Sequence, residues 1–152
     1  MTMLLKDRVA VVSGIGPGMG REIALAFARE GADVVLAART QSALDEVAEA
    51  VRAHGRRALT VPTDIARPDG CQRLADAAHA EFDRIDVLVN NAFLSNPVGP
   101  FAAADLADWR TIFDVNVFGA LQLTQAVVRH MRPQKRGAII FTVGSLLDAK
   151  RS

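Results

Sequence analysis

The sequence predicts an α/β fold in three layers, a doubly wound parallel sheet with helices on both faces. Three observations carry that prediction. Short Val/Ile/Leu runs alternate with longer stretches of helical period. The runs Val9-Ala-Val-Val, Val34-Val-Leu and Val87-Leu-Val are apolar on consecutive residues, as strands buried on both faces are, whereas a one-sided sheet would alternate. A glycine-rich turn follows the first run directly and opens the first helical stretch.

Strands are expected near residues 8–13, 33–38, 57–62, 86–90 and 137–143, and helices near 18–30, 41–54, 67–83 and 103–132. The first helix sets Ile23, Phe27 and Ala28 on one face, and the last does the same with Leu121, Ala126 and Val127. Gly31, Gly55 and Gly137 each follow a helical pattern, where a left-handed closing residue is most easily a glycine. The last helix starts at Ala104 or Asp105, and Gly119 inside it marks a kink or a close packing contact. Right-handed crossovers wind these elements into one domain over residues 1–152. The fifth expected strand ends nine residues before the chain does, so the sheet is read as incomplete at its carboxyl-terminal side, with an exposed apolar edge as its weakness.

Composition narrows the function classes. With 18 Lys and Arg against 17 Asp and Glu the net charge is +1, and no block of one sign stands out, which argues against nucleic acid or membrane partners held by bulk charge. The amino-terminal segment lacks the basic-then-apolar order of a signal peptide, so a cytoplasmic protein is expected. The single cysteine, Cys71, has no internal disulfide partner, and three scattered histidines offer no zinc spacing, so no metal site is expected. Cys71 reads as a plain helix-face residue.

The turn reads Ser13-Gly14-Ile15-Gly16-Pro17-Gly18-Met19-Gly20, spaced Gly-x-x-x-Gly-x-Gly. After a buried strand and before an amphipathic helix, such glycines let the backbone approach a pyrophosphate whose charge is met by N–H groups at the helix start, as in a Rossmann-type dinucleotide site. The second strand ends Leu36-Ala37-Ala38-Arg39, 25 residues after Gly14, close to where a carboxylate would take the ribose 2′-hydroxyl of NAD. Ala38 supplies no carboxylate. Arg39 offers a guanidinium that suits a 2′-phosphate, so NADP(H) is favoured over NAD(H); the other reading of Arg39 is a solvated strand-end arginine. Asp64, after the third strand, can accept from the adenine amino group or cap the following helix. Asn90 and Asn91 end the fourth strand with amides able to bond backbone and ribose, Asn91 being the more structural of the two. Asn116 is polar within an apolar helix and needs a compensating hydrogen bond.

Together these motifs resemble the classical short-chain dehydrogenase/reductase family, from about residue 5 to about residue 145. Ser13 to Gly20 is similar to its Thr-Gly-x-x-x-Gly-x-Gly loop, Asp64-Ile65 to its Asp-Val pair at adenine, and Asn90-Asn91-Ala92 to its Asn-Asn-Ala-Gly signature, with Phe93 in place of the glycine. The resemblance implies cofactor contacts at Ser13, Gly14, Ile15, Gly18, Met19, Gly20, Arg39, Asp64, Ile65, Asn90 and Ala92. It implies that Asn116 helps hold a water for proton relay, and that a serine after the fifth strand polarises the substrate oxygen. Ser145 is the best candidate for that serine although it stands one residue late, with Thr142 second; a turn serine is the plain reading. Phe93, Leu94 and Leu146 suggest an apolar wall.

In the resembled mechanism hydride moves between nicotinamide C4 and a carbonyl or alcohol carbon, while a tyrosine in Tyr-x-x-x-Lys on the next helix passes the proton. The chain has no tyrosine and ends seven residues after Ser145. It is therefore read as the amino-terminal part of an NAD(P)-dependent oxidoreductase acting on a small molecule, inactive alone. The longer enzyme is expected to be a homo-oligomer. The alternatives are a non-catalytic NADP(H)-binding module and an inactive remnant.

Overall fold

The computed structural model describes residues 3–95 and 100–143. Five strands, β1 (Val9–Ser13), β2 (Asp33–Ala38), β3 (Ala58–Pro62), β4 (Val87–Asn90) and β5 (Ala138–Phe141), form one sheet in the order β3-β2-β1-β4-β5. Every pairing is parallel. The helices are α1 (Met19–Arg29), α2 (Gln41–Ala53), α3 (Pro68–Phe82), α4 (Leu106–Phe113) and α5 (Ala120–Gln134). The chain runs outward from β1 to β3 and then crosses back to β4, so the winding reverses between β1 and β4. Open α/β sheets bind ligands at such a reversal, beyond the carboxyl ends of the strands.

Alternation within each strand feeds two cores. Ala10, Val12, Val34, Leu36, Val87 and Val89 pack with Ala24 and Leu25 of α1 and with Leu44, Val47 and Val51 of α2. Val9, Val11, Val35 and Leu88 pack on the opposite face with Leu74 and Ala78 of α3 and with Leu123 and Val127 of α5. Both faces of β1, β2 and β4 are covered, which is why their sequences are apolar without a break.

Element ends agree closely with the pattern in the sequence, with two differences. Gly31 and Gly55 close α1 and α2 at positive φ, 92° and 74°. Gly137 does not: Lys135 takes the left-handed turn after α5 (φ 53°), and Gly137 is small because a Cβ there would lie 2.6 Å from the Met131 sulfur. The stretch expected as one helix over 103–132 is instead a short 3-10 turn at Phe101–Ala103, then α4, a π-helical turn at Asp114–Gly119, and α5. Asp105 caps α4 by accepting from the Ala107 N–H at 2.8 Å. Leu106–Gln134 is long and apolar enough to cross a bilayer by length and composition alone, but here Leu123, Ala126, Val127 and Met131 pack into the core beneath the sheet.

At the amino end of the sheet, buried Asp86 joins the strands. It accepts the Val9 N–H at 3.0 Å and both Arg84 donors at 2.7 Å, and Arg8 approaches at 3.3 Å. At the other border β5 pairs only with β4 among the described strands, and Ile139, Ile140 and Phe141 are 36%, 44% and 47% exposed, the apolar edge the sequence implies.

Candidate functional site

The loops beyond β1, β2, β3 and β4 enclose a cavity of about 530 Å³ at the reversal point. It is lined by Gly14 to Pro17, by Ala37 to Thr40 with Ala43, by Thr63 to Ala66, by Asn91 to Leu94, and by Thr111 and Val115. Five separate segments of sequence thus meet in one place.

The phosphate-loop region is built around close backbone contact. Gly14 has φ 77°, and a Cβ on it would lie 2.5 Å from Ala92 Cα, so the ends of β1 and β4 touch only because residue 14 is glycine. A Cβ on Gly20 would collide with the Gly14 carbonyl oxygen. Gly16 and Gly18 differ, because a Cβ on either would meet nothing within 4 Å. Their smallness meets no packing need of the chain itself; it leaves open backbone in front of α1. Gly18 is the N-cap of α1 and no side chain caps that end, so the helix presents first-turn N–H groups suited to an anion. The loop therefore fits a pyrophosphate.

Polar groups behind the loop lock β1 to β4 and β5. The buried Ser13 hydroxyl donates to the Val89 carbonyl (3.3 Å) and accepts the Asn91 N–H (3.1 Å). The Asn91 amide donates to the Gly14 carbonyl at 3.1 Å, and its oxygen lies 3.3 Å from the Thr142 hydroxyl. Asn91 is structural, as its sequence context implies, yet it also lines the cavity. Asn90 does not line it. β4 alternation turns Asn90 to the α5 face, where its amide donates to Thr124 at 3.0 Å and its buried Oδ1 has no partner. Ser13, Gly18, Met19 and Gly20 frame the loop without lining the cavity.

Arg39 is exposed beside the cavity, and no described acidic residue pairs with it. Asp64 Oδ1 accepts the Ala66 N–H at 3.0 Å, shaping the turn that leads to α3, although Arg67 and not Asp64 is the N-cap of that helix; the residue also lines the cavity next to buried Ile65. Ile15 and Ala92 complete the predicted residues that meet there.

Asn116 sits in the π-helical turn, where both ends of its amide hold one residue. Oδ1 accepts the Leu94 N–H at 2.7 Å and Nδ2 donates to the Leu94 carbonyl at 2.9 Å. The side chain thus holds the backbone of the cavity wall at Leu94. Ser145 and Leu146 lie outside the described residues. Thr142 spends its hydroxyl on the Asn90 carbonyl and Asn91 Oδ1, both at 3.3 Å.

Sequence reasoning missed Thr40, Ala43, Thr111 and Val115 as lining residues. Thr111 and Val115 are four apart in one helical stretch, a spacing that puts them on a common face, but nothing in the pattern says what that face meets. Cys71 is buried on the core side of α3; burial, with help from Asp64 and Asp69, pushes its thiol up to about 11, and Sγ donates to the Ile65 carbonyl at 3.3 Å.

Comparison with known proteins adds an independent line. A family model described as short chain dehydrogenase matches residues 8–148. An uncharacterized oxidoreductase of Mycobacterium tuberculosis is 43% identical over 94% of the chain and 54% of its own length. The cis-4-hydroxycyclohexanecarboxylate dehydrogenase of Sinomonas cyclohexanicum is 40% identical over 94% of the chain and 57% of its own length. Among solved structures, a short-chain type dehydrogenase/reductase from Mycobacterium marinum superposes with a TM-score of 0.89 at 33% identity, over 94% of this chain and 58% of that one. An NAD+-bound xylitol dehydrogenase does so with 0.90 at 28% identity, over 98% and 57%. The chain thus spans little more than half the length of the relatives it matches.

Proposed function

The chain belongs to the short-chain dehydrogenase family, whose members bind NAD or NADP, and from that premise we propose that it forms the NADP(H)-binding part of an oxidoreductase that interconverts an alcohol and a carbonyl compound. The observation that carries this reading is the single cavity in which the open glycine loop, Arg39, Asp64 and the Asn91-Ala92 corner meet at the sheet's reversal point.

In this proposal the uncapped start of α1 and the backbone from Gly14 to Met19 hold the pyrophosphate. Arg39 pairs with the 2′-phosphate in a charge-assisted fork, and Asp64 accepts from adenine beside Ile65. Ser13 and Asn91 keep the loop against β4, while Ala92 and Leu94 form the wall on the β4 side. Asn116 fixes that wall through the Leu94 backbone. Ser145 bonds the substrate oxygen. A bound nicotinamide would supply hydride chemistry at the carbon bearing that oxygen. The substrate is a small molecule, as the cyclohexane hydroxy acid is for the Sinomonas relative. A cytoplasmic setting and a homo-oligomeric longer enzyme belong to the same proposal.

The chain carries its own probe, because Trp109 is its only tryptophan and it has no tyrosine. Titration with NADPH and with NADH, followed by energy transfer from Trp109 to the reduced nicotinamide, is expected to give tighter binding of NADPH. Arg39→Ala should weaken NADPH about tenfold to a hundredfold, from the loss of hydrogen bonds to a charged group, and leave NADH nearly unchanged. Equal losses for the two would refute the 2′-phosphate assignment.

A further inference from the structure

The cavity wall holds one residue whose exposure and anchoring disagree. Phe93 is 64% exposed, although it lines a concave site and large aromatic side chains gain by burial. Its backbone is fixed on both sides. The preceding Ala92 N–H approaches the Ser13 hydroxyl at 3.4 Å, and the following Leu94 is held at both its N–H and its carbonyl by Asn116. The ring thus stands on an anchored backbone and is exposed among the described residues, with its neighbours Leu94 and Val115 on the same wall apolar. An aromatic on a flexible loop could fold down onto the protein. This one stands on an anchored backbone at the cavity wall, where a ligand filling the cavity would contact it.

We propose that Phe93 is a specificity-determining residue, a ring platform on which a flat ring of the bound ligand stacks at the β4 side of the cavity. The proposal rests on the reading of the cavity as a dinucleotide site. Its chemistry allows two sources for the flat ring, the nicotinamide itself or an aromatic substrate lying against it. The Phe93 face supplies dispersion and quadrupole contact, and the fixed backbone means that little ordering is lost on binding.

The test is calorimetric binding to the chain as it stands, comparing Phe93→Leu, which keeps apolar bulk without a ring, and Phe93→Trp, which keeps a ring. NADP+ and 2′-phospho-ADP-ribose share everything but the nicotinamide. If that ring is the partner, the affinity ratio between them falls about twofold to tenfold in Phe93→Leu and recovers in Phe93→Trp. If a substrate ring is the partner, the ratio is unchanged, but binding of benzoate to the NADP+-loaded chain shows that loss and recovery. Either pattern supports the platform. Unchanged values for both ligands in Phe93→Leu, with its thermal unfolding midpoint retained, would overturn it. Loss of 2′-phospho-ADP-ribose binding by the unaltered chain would overturn the dinucleotide reading instead, so the two failures are separable.

Discussion

Single side chains show how the same residue type is used in opposite ways around the cavity. Asn91 and Asn116 spend their amides on backbone, at Gly14 and Leu94, and so set positions. Removing the Asn116 clamp by Asn116→Ala leaves a half-buried N–H and carbonyl of Leu94 without partners, a cost of about 1–3 kcal/mol that thermal unfolding should register. The same variant should weaken dinucleotide binding because the wall is no longer held. The demand of Asn116 for a hydrogen-bond partner was legible in the sequence; the partner, 22 residues away, was not. Nor was the different use of Asn90, whose contact with Thr124 depends on which side of β4 faces α5. Cys71 offers a simpler check. With its thiol buried and pushed up to about 11, it should resist a neutral-pH thiol reagent in the native state and react at the rate of a free thiol once the chain is unfolded.

Elements were more legible than their interruptions. Consecutive apolar residues announced β1, β2 and β4, because burial on both faces erases alternation, and helical spacing announced α1, α2 and α3. The π-helical turn between α4 and α5 escaped, since one wide turn barely perturbs a 3.6-residue pattern. Gly119 closes that turn, and its place in an apolar helix hinted at the packing contact now visible. A Cβ there would sit 2.9 Å from Ile65 Cγ1 and Cδ1 and 3.0 Å from the Ile65 carbonyl. Gly119→Ala should therefore destabilise the chain by about 1–3 kcal/mol through overpacking. Pairing it with Ile65→Ala should restore only part of the loss, because the carbonyl contact remains. Denaturant unfolding of the single and double variants measures both numbers, and a neutral Gly119→Ala would mean that the turn yields without resistance.

Across the whole molecule, the Asp86 cluster and the cavity lie at opposite ends of the sheet. At the amino end, burial opposes ionisation of Asp86 and is the largest single influence, but hydrogen bonds from Arg84 and the Val9 N–H, with the nearby Arg8, together hold its carboxyl below its ordinary value. A carboxyl lowered on folding contributes stability that is complete above its unfolded value of about 4 and is lost as pH falls through the folded one. Asp86→Asn should thus cost about 3 kcal/mol near neutrality, with the gap to the unaltered chain closing in acid below about pH 4. A gap that stayed constant in acid would assign the cost to geometry alone. The carboxyl end carries the cavity, and its overall position was legible because the glycine turn, Arg39, Asp64 and Asn91 each follow a strand. The measurement that tests this account most directly is an amide correlation spectrum of the isotopically labelled chain titrated with NADPH. Shifts centred on residues 14–20, 37–43, 63–66, 91–94 and 111–116 are predicted; saturable shifts centred elsewhere, or none at all from a folded chain, would contradict it.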